Sequence, residues 1–312
     1  MVSVTVIGEV VLDCIVTNGV IEKVPGGCAA NEALALVRFG ASVDLRARYS
    51  IYENGRFLRD FVRQDGIDVT NSIDAEEPAL VITITKDETG HPTFNYGELL
   101  SCADWQWTAE EISKPLAAEC DGILIGSMAS VFPPGTDALF EWVQKQKAVG
   151  LPVFYDMNAR PGSFTVLDQT KVRDSYQRWL ELATVIKVSD EDLTWWAPGQ
   201  DPLEIAQKMS TQGPELVALT QGASGVTVFA HGERLFTIEP PGIQAADTVG
   251  AGDTFLGWLA GGLLELPPEL RFDPALIYSV TRDAVFAAAY NCTQTGCNPP
   301  TQQELAEFSA TH

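Results

Sequence analysis

The chain has 312 residues, and its 42 Asp and Glu residues outnumber its 20 Lys and Arg residues, which gives a formal net charge of −22 at pH 7. Proteins that bind nucleic acid through its phosphates need a basic stripe or patch, and the densest basic stretch here, residues 46–63, is interrupted by Glu53 and Asp60. The same charge disfavours anionic membrane surfaces, and no apolar run approaches the roughly 18 residues that span a bilayer. We therefore expect neither nucleic acid nor a membrane among the partners.

Other residue counts bear on the compartment and on the type of catalytic base. The N-terminal apolar run is typical of a buried strand, because no basic segment precedes it as in a signal peptide, and we expect a cytoplasmic protein. The six cysteines form no CxxC pair, which favours reduced thiols over a disulfide framework or a zinc site. With only three histidines in the sequence, a His-based triad is hard to assemble, so a carboxylate is the expected base.

Strand-like and helix-like segments alternate along the chain. Short apolar runs predict strands at residues 2–7, 42–47, 122–125, 152–155, 185–188, 216–220 and 225–230. Amphipathic stretches predict helices near residues 30–39, 55–64, 137–149, 171–183, 202–211 and 253–264. This alternation predicts an α/β fold with a mainly parallel sheet covered by helices on both faces, whose active site lies at the carboxyl ends of the strands.

One stretch departs from this rhythm. Residues 79–96 alternate apolar and polar side chains, turn at residues 87–90 and resume as a second short strand, which predicts a hairpin. Together with residues 10–20 it would form a small sheet beside the main body, in the place of a lid over a ligand.

The most informative segment is DTVGAGDTF at residues 247–255, which opens a strongly apolar helix. Gly250, Ala251 and Gly252 carry almost no side chain, so their backbone N–H groups can approach an anion closely, and the helix start adds the positive end of its dipole. Asp253 at this helix start suits a base for phosphoryl transfer, which needs mainly positioning and charge neutralisation. Taken alone, the pattern is also typical of a purely structural arrangement, in which a carboxylate caps the helix N-terminus after a glycine turn.

Two further segments support a ligand site. Gly26 and Gly27 again expose backbone before a helix, with the amide of Asn31 one turn in, which suits a hydroxyl-rich ligand. Asp13 follows the first strand, where a carboxylate can accept hydrogen bonds from vicinal hydroxyls.

GGCAAN at residues 26–31 and DTVGAGDTF at residues 247–255 together resemble the paired signatures of the ribokinase-like (PfkB) family of carbohydrate kinases. The resemblance covers nearly the whole chain in the expected order, through GEVVLD, YDMNARP, KVSDEDL, TQGASG and TGCNPPT at residues 8–13, 155–161, 187–193, 220–225 and 295–301. It implies one ribokinase-like three-layer α/β/α domain over residues 1–312, with a small β-sheet lid from segments at about 10–23 and 76–103.

The resemblance also implies a role for each matching residue. Asp253 would be the base, and Gly250, Ala251 and Gly252 the anion hole. The sugar-binding positions correspond to Asp13, Gly26, Gly27 and Asn31, and Arg160 would contact phosphate or substrate or form a salt bridge. The ATP-binding and Mg²⁺-organising positions correspond to Lys187, Ser189, Asp192, Thr220, Gly222 and Gly225. Asp247 matches a position near a monovalent-cation site in some members, so K⁺ is a second candidate cofactor beside Mg²⁺ with ATP.

The sequence is most similar to the fructokinase branch, with 2-keto-3-deoxygluconate kinases as close neighbours. Leu99 stands where such enzymes commonly carry an Arg, which favours a neutral sugar. Ribokinase and nucleoside kinase activities use the same phosphate machinery and stay open, as does a homodimer formed through the lid. A non-catalytic sugar or nucleotide sensor is the alternative from a different class, and the retained Asp253 argues against it. The chain has no GxxxxGK[ST] loop, no GxGxxG after the first strand and no HRD or DFG set, so other phosphate-binding folds are unsupported.

Overall fold

The computed structural model describes residues 1–17, 19–86, 92–117 and 119–312. The strands in these ranges are β1 (Ser3–Ile7), β2 (Val11–Thr17), β3 (Val20–Gly26), β4 (Ser42–Arg46), β5 (Arg48–Ser50), β6 (Ile73–Ala75), β7 (Val81–Lys86), β8 (Pro92–Asn95), β9 (Gly122–Gly126), β10 (Val153–Asp156), β11 (Val185–Ser189), β12 (Leu216–Thr220), β13 (Val226–Ala230) and β14 (Glu233–Ile238). The helices are α1 (Cys28–Phe39), α2 (Glu53–Gln64), α3 (Ala109–Ile112), α4 (Gly135–Ala148), α5 (Gln169–Leu182), α6 (Asp190–Trp196), α7 (Pro202–Met209), α8 (Ala251–Glu265), α9 (Pro274–Cys292) and α10 (Gln302–Thr311).

The central sheet has eight strands in the order β14-β13-β12-β11-β10-β9-β1-β4. Pairing is parallel from β4 through β12 and antiparallel at β12–β13 and β13–β14. The antiparallel pairing of β13 with β14 follows from the two-residue turn His231-Gly232, where both residues have positive φ (50° and 83°), as a tight hairpin turn requires. The predicted mainly parallel sheet is therefore confirmed.

Helices cover both faces of the central sheet. Neighbouring residues of β10 point to opposite sides, so Phe154 packs in one apolar core and Tyr155 in the other. The first core includes buried side chains of α1, α2, α8 and α9, and the second includes those of α4, α5 and α7. The three-layer α/β/α architecture expected from the resemblance is present.

A second, small sheet has the strand order β3-β2-β7-β8. β7 and β8 pair antiparallel, as the hairpin pattern predicts; its turn at residues 87–90 lies outside the described residues. The root of this sheet is held by the buried carboxylate of Asp104, whose two oxygens accept hydrogen bonds from the backbone N–H groups of Val10 and Leu80, each at 3.3 Å. Burial raises the pKa of Asp104 to about 7, and the nearby Glu9 contributes in the same direction. The function of the small sheet as a lid remains a prediction.

The predicted elements are all present, with ends that agree within two residues, but others were missed. β14 is an edge strand that begins with Glu233 and Arg234, so it lacks an apolar run. α9 contacts α8, α10 and β14, and its alanine-rich sequence shows no clear polar face. None of the helices in the described ranges combines the length and the apolar character that a membrane crossing requires.

Candidate active site

A large cavity of about 830 Å³ lies between the small sheet and the carboxyl ends of the central strands. It brings together most of the residues singled out in the sequence: Asp13, Gly27, Asn31, Arg160, Lys187, Ser189, Thr220, Gly250, Ala251, Gly252 and Asp253 all line it. These residues come from segments up to 240 positions apart in sequence, so the fold gathers them at one end of the sheet, as expected for an open α/β protein.

A second cavity of about 500 Å³ adjoins the first. Its lining is mostly apolar and includes Gly222 and Gly225 after β12 as well as Val285 and Ala289 of α9. Four residues line both cavities: Thr220, Thr248, Ala251 and Gly252. The start of α8 is therefore the place where two ligands in neighbouring cavities would meet.

Asp253 lies in the first turn of α8 and faces the large cavity. Its side chain is only 9% exposed. Oδ2 accepts a hydrogen bond of 2.7 Å from the Nδ2 group of Asn31, and Oδ1 lies 3.4 Å from the Sγ atom of Cys28. Asn31 and Cys28 are both on α1, so the two helix starts fix the orientation of this carboxylate.

The loop before α8 leaves no space for larger residues. Gly250 has φ of +73°, and a Cβ atom there would lie 2.5 Å from the Sγ atom of Cys297. A Cβ atom on Gly252 would lie 2.9 Å from the Nζ atom of Lys187. At position 250 both the backbone conformation and the close approach of Cys297 require glycine, whereas at position 252 a larger residue would displace the ammonium group of Lys187.

Polar contacts attach the same loop to the C-terminal segment. The side chain of Asn291 donates a 2.7 Å hydrogen bond to the carbonyl oxygen of Val249. Asp247 accepts hydrogen bonds from the backbone N–H groups of Val249 and Gly296, at 3.1 and 2.9 Å. Asp247 therefore stabilises the loop, and a monovalent cation beside it stays a prediction from the resemblance.

An ion pair lies beneath the start of α8. Lys187 of β11 donates to both carboxylate oxygens of Asp156 at the end of β10, at 2.9 and 3.1 Å, and both side chains are buried. Burial raises the pKa of Asp156 to about 6 against the opposing effect of Lys187. Burial would lower the pKa of Lys187, but the surrounding carboxylates, Asp156 foremost, hold it above its usual value.

Carboxylates also line the end of the cavity nearest the small sheet. Asp13 belongs to β2, and partial burial raises its pKa to about 6 although the positive charge of Arg160 opposes this shift. Glu9 also lines the cavity, is 1% exposed, and accepts a 3.3 Å hydrogen bond from the backbone N–H of Ala129. Sequence reasoning missed Glu9, and the signal was a charged residue inside a buried apolar segment.

The KVSDEDL segment forms the end of β11 and the start of α6. Ser189 caps α6, and Asp192 accepts backbone hydrogen bonds from Ala159 at 2.7 Å and from Ser189 at 2.8 Å. Both oxygens of Asp192 are thus used to position two loops, and this residue does not line the large cavity. Glu191 does line it.

Gly26 lies beside Asp13, since a Cβ atom on it would be 3.4 Å from Oδ2 of Asp13.

The whole-chain comparison decides the family. Residues 1–304 match the model of the pfkB family carbohydrate kinases. The chain belongs to this family.

Similar proteins include the fructokinase of Klebsiella pneumoniae, 30% identical over 83% of each chain, and the fructokinase of Vibrio alginolyticus, 28% identical over 98% of each chain. Among solved structures, the fructokinase of Xylella fastidiosa with bound ATP has a TM-score of 0.88 at 20% identity and covers 99% of this chain, which covers 98% of it. The fructokinase of Vibrio cholerae with fructose, ADP and potassium ion has a TM-score of 0.86 at 24% identity, with the same coverage. The structures support the ribokinase-like fold.

Membership in the PfkB family makes the chain a carbohydrate kinase, that is, a phosphotransferase with an alcohol group as acceptor. Two of the related structures hold small molecules of this kind, ATP in the Xylella fastidiosa fructokinase and fructose with ADP in the Vibrio cholerae fructokinase. In this chain the large cavity and the second cavity adjoin each other.

Proposed function

We propose that this chain transfers the γ-phosphoryl group of ATP to a hydroxyl of a neutral, fructose-like sugar, with Asp253 as the base. One observation carries the proposal: Asp253 lies at the start of α8, and this helix start is where the two cavities share their lining. A sugar in the large cavity and the phosphates of a nucleotide in the second cavity would meet there, with the carboxylate beside the reacting hydroxyl.

The charges in the large cavity favour a neutral substrate. Four carboxylates, those of Glu9, Asp13, Glu191 and Asp253, line it. The lining has two cationic side chains, and one of them, Lys187, is bound to Asp156. A substrate carboxylate would meet more negative than positive charge, whereas sugar hydroxyls donate hydrogen bonds to carboxylates. This lining supports fructose over 2-keto-3-deoxygluconate.

The second cavity suits the rest of ATP. Its apolar wall from α9 can cover an adenine ring, and Gly222 and Gly225, both with positive φ, keep the backbone accessible for ribose and phosphate. Residues that line both cavities lie at the start of α8, so the phosphates would lie next to Gly250, Ala251 and Gly252.

In the transfer step the sugar hydroxyl oxygen attacks the γ-phosphorus, the bond from this phosphorus to the bridging oxygen breaks, and ADP leaves with its electron pair. Asp253 accepts the hydroxyl proton on a carboxylate that Asn31 holds in place. The backbone N–H groups at residues 250–252 donate hydrogen bonds to the migrating phosphoryl oxygens, which lowers the energy of the charged transition state.

A divalent cation with ATP would neutralise phosphate charge. The donors fit Mg²⁺, which keeps several waters and takes few protein oxygens, because Ser189 and Glu191 line the large cavity and Ser189 pairs with Thr220, which lines both cavities. We infer that Glu191 and Ser189 hold Mg²⁺ through water, while Asp192 positions their loop. K⁺ near Asp247 is proposed as a second cofactor.

The test is a coupled ADP-release assay with Mg·ATP across fructose, ribose, tagatose, 2-keto-3-deoxygluconate, inositol and adenosine. We expect fructose to give the highest kcat/KM.

Asp253→Asn should lower kcat by roughly 10²- to 10⁴-fold. The variant should keep the thermal midpoint of wild type, and its affinity for sugar should stay within about twofold of wild type. Full activity in Asp253→Asn contradicts the assignment of the base. Sugar binding without turnover in the wild type supports a non-catalytic sensor instead.

A riboside with a heteroaromatic ring is the second candidate substrate. Phe94 and Tyr96 of the small sheet region both line the large cavity, and Phe94 is 50% exposed, so one of these rings can stack on a base. An aminoimidazole riboside kinase of Salmonella typhimurium is 26% identical over 93% of this chain and 89% of its own length. If Phe94→Ala lowers the turnover of the riboside and leaves the turnover of fructose unchanged, the result favours the riboside over fructose as the substrate.

A further inference from the structure

We propose that Cys28, Glu32, Asp156 and Asp253 form a binding site for one zinc ion beneath the large cavity, and that occupation of this site blocks the kinase. Each residue offers one ligand atom, and the four atoms lie within 4.8 Å of one another. All four side chains are buried, with exposures of 7%, 1%, 0% and 9%. The proposal concerns a site separate from the nucleotide-bound metal.

Two of the distances among the four ligand atoms are close to those of a tetrahedral zinc site. With Zn–S near 2.3 Å and Zn–O near 2.0 Å, the edge between a sulfur and an oxygen ligand is about 3.5 Å. The Sγ atom of Cys28 lies 3.4 Å from Oδ1 of Asp253 and 3.8 Å from Oδ2 of Asp156. Small side-chain adjustments would therefore complete the coordination.

Two of the carboxylates are already oriented by neighbouring donors. Asn31 holds Oδ2 of Asp253, which leaves Oδ1 directed at the cluster. Lys187 holds Asp156 through both oxygens. Such donors behind the ligands fix their direction in metal sites and contribute to affinity.

The cluster has few hydrogen-bond donors and little positive charge for its three carboxylates. Among the described residues, Oε1 of Glu32 is buried without a hydrogen-bond partner, although unpaired buried oxygens are costly. The thiol of Cys28 carries one proton and can donate it to only one of the two aspartates at a time. Lys187 is the single cation hydrogen-bonded within the cluster. A divalent cation would supply a partner for all four atoms together.

The thiol selects the metal, and the cavity gives it access. Zinc binds sulfur and carboxylate oxygen together, whereas Mg²⁺ prefers oxygen alone. Cys28 and Asp253 both line the large cavity, so an ion can enter from the same side as substrate. Zinc bound to Asp253 would occupy the carboxylate proposed as the base, and this consequence alone rests on the proposed function.

The binding test uses the full chain, free of nucleotide, with Zn²⁺ or Co²⁺ as the probe. We expect one zinc ion per chain by equilibrium dialysis, undisturbed by a large excess of Mg²⁺, and a sulfur-to-cobalt charge-transfer band in the near ultraviolet with Co²⁺. Cys28→Ala should abolish the band and weaken zinc binding at least tenfold, and Glu32→Gln should weaken binding by a similar factor. Cys120→Ala, which removes a thiol outside the cluster, is the matched control and should behave as wild type.

Activity is a second readout, with each variant compared with its own rate in the absence of zinc. The zinc concentration for half-inhibition should rise at least tenfold in Cys28→Ala and stay unchanged in Cys120→Ala. Absence of stoichiometric zinc binding, or a cobalt band that survives in Cys28→Ala, overturns the proposed site. Binding that depends on Cys28 in a chain without kinase activity supports the site and contradicts only the proposed function.

Discussion

The two walls of the large cavity are built in opposite ways. The wall at the start of α8 consists of buried groups held from several sides: Asp253 is 9% exposed and bound by Asn31, and Gly250 lies against Cys297. The wall formed by the small sheet is more exposed: Phe94, which lines the cavity, is 50% exposed, and Val20 and Ile21 of β3, outside the lining of the cavity, are 69% and 61% exposed. One wall is fixed by close packing, and the other is open to solvent.

This difference matches two tasks of a kinase. Phosphoryl transfer needs donors and a base held in place before the reaction, because their reorganisation would cost catalytic free energy. Admission of a sugar needs a wall that can open and close. Substitutions near α8 should therefore lower kcat, whereas substitutions in the small sheet should change stability or association with little effect on the chemical step.

Among the substitutions that compare the two walls, the largest effect is expected from Gly250→Ala. The added methyl group would meet Cys297 at 2.5 Å in a backbone conformation with φ of +73°, so the anion hole must shift. We expect kcat to fall by roughly 10²- to 10³-fold, as for loss of an oxyanion donor. Gly296→Ala is the control, since Gly296 has φ of +67° with nothing within 4 Å of an added Cβ. Equal losses of kcat in the two variants would show that backbone strain alone is responsible.

An intermediate effect is expected at the root of the small sheet, as a dependence of stability on pH. The pKa of Asp104 is about 7 in the folded chain against an ordinary value of 3.8. Between these values the folded state binds more protons than the unfolded state, so the free energy of unfolding falls as pH rises. This carboxyl alone contributes a slope of up to about 1.4 kcal/mol per pH unit in that window.

Asp104→Asn removes this titration, because an amide resembles the protonated carboxyl, with one acceptor and one donor group. Urea denaturation at pH 5, 6 and 7 should show a smaller loss of stability in Asp104→Asn than in wild type. Asp174→Asn, at an exposed position of α5, should keep the wild-type slope. If wild type and both variants lose stability in parallel as the pH rises, the pKa of Asp104 is not the cause of the pH dependence.

The wall at the start of α8 was also more predictable from the sequence than the wall formed by the small sheet. A glycine-rich loop before an apolar helix with Asp in its first turn is a local pattern, and the predicted helix at residues 253–264 matches α8 (Ala251–Glu265). Likewise, the alternating strands and helices predict the layers because each element carries its own periodicity. The resemblance to the PfkB family then ordered the motifs along the chain.

Contacts across long sequence separations could not be predicted in this way. The sequence did not indicate Cys28 or Glu32 as site residues, and their place beside Asp253 depends on the packing of α1 against α8, more than 220 positions away. Asp192 matched a family motif, yet its oxygens bind the backbone of Ala159 and Ser189, which no spacing rule indicates. Periodicity reports burial, and it does not report which buried polar groups meet.

The smallest effect is expected from Ile21→Lys on the outer edge of the small sheet. β3 pairs only with β2 among the described strands, so its other edge presents backbone groups that a second copy could bind, and a lysine there opposes such pairing. We expect kcat within twofold of wild type and stability within about 0.5 kcal/mol. Sedimentation analysis should show less self-association than in wild type. Val149→Lys, at a 77% exposed position after α4, is the control and should leave association unchanged. If neither lysine alters the mass in solution, the homodimer predicted through the small sheet does not form.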